Sequence, residues 1–134
     1  MLIQLKEAHN NLIAIADELE CLSVAHFDER AVAHARWRLA RERNKRIRLI
    51  EGAIVPHLLA RVSPAEAHEI SELQGAGAAL ATAISAHIGE WTPKRIALDW
   101  SGFQQSSRQI RTLMLERVAN ERSVFYPLLE RYPS

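Results

Sequence analysis

Cysteine is almost missing from this chain: Cys21 is the single thiol among 134 residues. One thiol excludes an internal disulfide and any cysteine-based metal cluster, and makes a reducing, cytoplasmic setting the default expectation. An excess of one charge is missing too. Seventeen Lys and Arg against sixteen Asp and Glu leave a net charge of +1, which gives no case for nucleic acid as a partner. No apolar run approaches the ~20 residues that a membrane span requires, so a membrane is not expected either. The opening MLIQLKEAHNNL is amphipathic from its first residue and lacks the apolar block and cleavage site of a signal peptide. Glycine and proline number only five each, and no segment alternates with period two for long enough to argue a strand. The expectation is all-α.

The few breakers that are present mark boundaries. Ser63-Pro64-Ala65-Glu66 reads as a capping box with proline at the first helical position. Thr92-Pro93 repeats the signal, and Asp28-Glu29 is a weaker start. Helices are thus expected near 2–26, 29–62, 64–90 and 93–131 of a single domain. Each carries one apolar seam at three–four spacing. The first runs Leu2, Leu5, His9, Leu12, Ala16, Leu19; the second Ala33, Trp37, Ala40, Asn44, Ile47, Glu51, Ile54, Leu58. The third runs Ile70, Leu73, Gly77, Leu80, Ile84, His87, Trp91; the fourth Ile96, Trp100, Phe103, Ser107, Ile110, Met114, Arg117, Glu121, Val124, Leu128. Short connections between long helices make an up-down-up-down four-helix bundle the expected architecture. The polar residues inside these seams, above all His9, Glu51, Arg117 and Glu121, are the candidate functional residues.

The second and fourth helices end alike. EGAIVPHLLAR at 51–61 and ERSVFYPLLER at 121–131 share Glu, Leu, Leu and Arg at an offset of 70, with Pro56 and Pro127 one residue out of register. A duplicated helical hairpin is the simplest account, with Glu51 and Glu121 as counterparts.

The pattern Glu121…Val-Phe-Tyr-Pro-Leu-Leu-Glu, echoed by Glu51…Ile-Val-Pro-His-Leu-Leu and joined by the early His9, resembles the hemerythrin-like (HHE cation-binding) family. The resemblance implies a di-iron centre held between helices by inward-pointing histidines and carboxylates, with His-x₃-Glu late in the second and fourth helices. In this chain Ile47 and Arg117 stand where those histidines would be. Isoleucine cannot ligate a metal, and a guanidinium brings a fixed positive charge to the cation's place. Two readings stay open. Either Arg117 has replaced the metal and pairs with Glu121 or Glu51, with His9 hydrogen-bonded to one of them. Or a reduced site of His9, Glu51 and Glu121, with Glu72 or Gln74 as further candidates, binds one iron, manganese or zinc ion.

The remaining features are read as structural. His87 beside Trp91 is a hydrogen-bonded histidine at the core's edge, and His26, His34 and His57 are surface or boundary residues. Trp37, Trp100 and Phe103 are core packing. Arg38, Arg41, Lys45 and Arg48 form one solvated face. Gly75, Gly77 and their neighbouring alanines allow either a close helix approach or a cavity. No nucleophile–base–orienter grouping appears, so an enzyme is not expected. A non-enzymatic binding or sensory domain is the leading functional expectation. A structural or dimerising bundle is the alternative, and a histidine phosphotransfer domain using His68 is a third, weakened by Glu69 and Glu72 beside that histidine.

Overall fold

The computed structural model describes residues 1–24 and 26–134, and it is all-helical, with 89% helix and no strand among the described residues. Helix α1 spans Leu2–Val24 and buries Leu5, His9, Leu12, Ala16 and Leu19, as its three–four spacing predicts. Helix α2 spans Glu29–Leu49. It starts where an Asp28 carboxylate oxygen accepts the backbone N–H groups of Arg30 and Ala31 at 3.1 and 3.2 Å, satisfying donors that the first turn leaves without partners. A π-helical turn at Ile50–Ile54 joins it to α3, Val55–Leu59. Helix α4, Pro64–Glu90, opens on the expected capping box, with reciprocal Ser63–Glu66 bonds of 3.0 and 3.2 Å.

The fourth expected helix is divided. Thr92 caps α5, Pro93–Leu98, and Asp99 caps α6, Trp100–Arg131. Asp99 leaves helical geometry at φ −141° and its side chain accepts the Gly102 N–H at 2.9 Å. The local carboxylate bond thus replaces the helical ladder for one residue.

The larger departure lies in α2. Pro56 has no N–H to return to the Gly52 carbonyl, and its ring crowds that carbonyl. The preceding turn widens instead, so that the Val55 N–H reaches back five residues to the Ile50 carbonyl. One added residue rotates everything before it by ~100° from a straight extrapolation. The buried positions therefore run back from Leu58 and Ile54 to Ile50, Arg46, Ala35 and Val32. Ala33, Trp37, Ala40, Asn44 and Glu51, expected on the seam, are exposed. Trp37 is 58% exposed, lies near His34 and Arg41, and is not core packing.

Helix α1 packs along α2 and α6, and α4 packs along α6, whereas α2 and α4 barely touch. One apolar cluster gathers Leu5, Ile50, Ile54, Leu58, Ile70, Leu73 and Phe125. A second gathers Ala16, Ile84, Ile110 and Met114. A polar layer separates them: His9 falls between Leu5 and Ala16 on α1, and Arg117 and Glu121 fall between Met114 and Phe125 on α6. Among the described residues, no helix is long and apolar enough to cross a membrane.

Candidate functional site

Glu121 is the centre of the polar layer and is fully buried, as is His9. His9 Nε2 lies 2.8 Å from Glu121 Oε1, and Arg117 Nε donates to Oε2 at 2.8 Å from one turn earlier on α6. An ionised carboxylate can only accept, so His9 Nε2 carries the hydrogen. When the ring is neutral, Nδ1 is then the acceptor for the Tyr126 hydroxyl at 2.6 Å. Arg46 reaches in from α2, with Nε 3.5 Å from Oε1 as an ion pair but without a hydrogen bond. Burial alone would raise the Glu121 carboxyl. The hydrogen bond from His9 and the charges of Arg46 and Arg117 more than reverse that, and hold it below the ordinary carboxylate range.

Arg117 also fastens α6 to α4. Its Nη1 donates to the Leu73 carbonyl and its Nη2 to Gln74 Oε1 at 3.2 Å. The guanidinium lies flat against Gly77, where any Cβ would stand 2.9 Å from Nη2 and 3.0 Å from Cζ. A Cβ on Gly75 would meet nothing within 4 Å. What approaches Gly77 is thus the Arg117 side chain and not a helix backbone, and Gly77, Ala78 and Ala81 line a cavity of about 150 Å³.

The residues expected to hold a metal are not brought together as a set. His9 and Glu121 meet, but Glu51 is exposed, because the π turn rotates it off the buried face. Glu51 lines the same 150 Å³ cavity, whose other charged residues are Arg43, Arg46 and Arg117. Gln74 is bound to Arg117, and Glu72 is exposed and pairs with His68 at 3.1 Å. Among the described residues, no three His, Cys, Asp or Glu side chains are grouped to hold a metal ion. The lone buried carboxylate already receives bonds on both oxygens and faces two fixed guanidinium charges, so the donor set does not fit an iron centre. The expected equivalence of Glu51 and Glu121 fails for the same reason.

Sequence reasoning missed Arg46. Pro56, with Gly52 four residues before it inside a helix, was the available signal for an extra residue. Counted across the π turn from the paired Leu58 and Leu128, the position matching Arg117 is Arg46, not Ile47. Tyr126 was also missed, because its hydroxyl reaches His9 from a half-buried position beside the seam. The other histidines are accounted for: His87 Nδ1 bonds Ser106 Oγ at 2.7 Å, and His57 Nε2 donates to the Tyr132 carbonyl at 2.8 Å. His26 and His34 are exposed. Comparison with protein-family models, with curated proteins and with solved structures finds no match for this chain.

Proposed function

We propose that the chain is a four-helix bundle of hemerythrin-like layout that serves a non-enzymatic binding or sensory role. In this reading a buried Arg–Glu–His network takes the position of the family's di-iron centre. The observation that carries it is the Arg117–Glu121 pair: Nε holds the carboxylate at 2.8 Å while the same guanidinium is anchored on α4 through the Leu73 carbonyl. A cation entering here would have to displace a buried, fixed charge and break its hydrogen bonds, which costs several kcal/mol. The network then serves to join α1, α2, α4 and α6 at one height, and leaves ligand binding to another part of the molecule.

Metal analysis of protein grown with iron, followed by anaerobic ferrous titration, tests this reading. Sub-stoichiometric iron with no ligand-to-metal absorption band is the expected outcome. Stoichiometric iron with such a band would overturn it.

A further inference from the structure

Helices α2 and α4 are held apart over much of their length, and a cavity of about 240 Å³ occupies part of the gap. Its floor is apolar: Leu19 from α1, Leu39 from α2, Ile84 from α4, and Phe103, Ile110 and Met114 from α6. Its chargeable residues are Arg36, Arg43 and His87, and no carboxylate lines it. Neither arginine has a carboxylate at ion-pair distance among the described residues. Arg36 is half-buried and rests near the Phe103 ring, 5.9 Å from its centroid. Arg43 lines both this cavity and the smaller one beside Arg46 and Arg117. A half-desolvated guanidinium without a counter-ion is costly, and it is the kind of group an incoming anion satisfies.

We infer that this cavity binds a medium-chain carboxylate, its head on Arg36 and its alkyl chain on the apolar floor between α2 and α4. Volume sets the chain length. A cavity of about 150 Å³ accommodates benzene, so by proportion this one accommodates roughly eight to ten carbons. Charge sets the head. The planar guanidinium fork of Arg36 fits a carboxylate, and with Arg43 also on the wall the cavity repels an ammonium. Glu51 lies beside the smaller cavity, which Arg43 also lines, so the head is kept at the Arg36 end, near the Phe103 ring. The inference supplies the ligand class for the binding role proposed above and rests on that role. It does not depend on whether iron binds at Glu121, and the two are tested on different probes.

The experiment is calorimetric titration of the full chain with decanoate, decanol and decyltrimethylammonium. Decanoate should bind saturably, with one molecule per chain. Decanol should bind about tenfold more weakly or worse, for want of charge-assisted hydrogen bonds, and the ammonium should not bind. Arg36→Gln should weaken decanoate most and Arg43→Gln less, and both should leave decanol unchanged. Ala40→Trp, at an exposed position that also lines the cavity, should abolish binding while the thermal melt stays cooperative. Equal affinity for decanoate and decanol overturns the inference, as does indifference to both arginine substitutions. So does an absence of saturable binding below about 1 mM. Self-association of the chain that decanoate does not affect would assign the gap to a second copy and overturn it as well.

Discussion

Gly77 and Arg117 form a pair in which the smaller residue exists for the larger. The guanidinium occupies the space a methyl group would take, and it is held from three directions: the Glu121 carboxylate, the Leu73 carbonyl and the Gln74 amide oxygen. It cannot swing away without breaking those bonds. Gly77→Ala should therefore destabilise by about 1–3 kcal/mol through overpacking, against the helical preference for alanine. In an Arg117→Met background the same change should be neutral or stabilising, because the clash is gone and only propensity remains. Arg117→Ala alone leaves Glu121 buried with its nearest cation removed and should cost roughly 3–5 kcal/mol. For a chain of this length that lowers the melting temperature by about 10–20 °C. Urea or thermal melts of the single and double variants give the coupling energy directly, and a value near zero would remove the steric account.

At the scale of the helix, the π turn is the feature on which the rest depends. It lets one helix present Arg46 and Ile50 on one side of the turn, and Ile54 and Leu58 on the other, to the same interior. Gly52 lies inside it, exposed, with nothing within 4 Å of its missing Cβ. Gly52→Ala should thus be tolerated, at a gain of up to about 1 kcal/mol. Deleting Gly52 should instead take out the residue that the widened turn accommodates and rotate one half of the helix by ~100°, forcing either Arg46 and Ile50 or Ile54 and Leu58 out of the core. Circular dichroism would retain helix, while the cooperative melt would be lost; a deletion variant with a native-like melt would refute this. The same turn explains what could be read from sequence. The seams of α1, α4 and α6 follow 3.6-residue spacing without interruption, so His9, Arg117 and Glu121 could be placed on the interior from spacing alone. In α2 the aliphatic residues are sparse between Val32 and Ile47, long arginine stems cover apolar surface there, and a one-residue insertion shifts the phase. Spacing alone therefore puts Glu51 inside and leaves Arg46 off the seam. Asp99 hid the break between α5 and α6 in a similar way, because a capping carboxylate in mid-seam leaves the apolar spacing intact.

For the molecule as a whole, half-buried His87 and buried Glu121 shape the dependence of stability on pH. Burial lowers the affinity of His87 for a proton, Arg36 adds to the effect and Glu90 partly opposes it. The unfolded chain takes up that proton near pH 6.5, so stability should fall as pH drops below about 6.5 and through the lowered native value. Glu121 acts further into acid. Its native carboxyl is held low, so its contribution is complete above the ordinary carboxylate value of about 4.3 and is lost as pH falls through the native one. Melts between pH 3 and 8 should show both arms, and His87→Asn should remove only the upper. The polar layer has one more consequence, for axial position. Aliphatic clusters are tolerant of exchange among their members, so α6 sliding by one turn, ~5.4 Å, along α1 would find other methyl groups to touch. Glu121 would not find another His9, Arg46 or guanidinium-sized gap at Gly77. A handful of side chains thus act as an index mark that every long helix must meet at the same height, and the hydrophobic core can drift in composition without losing its place.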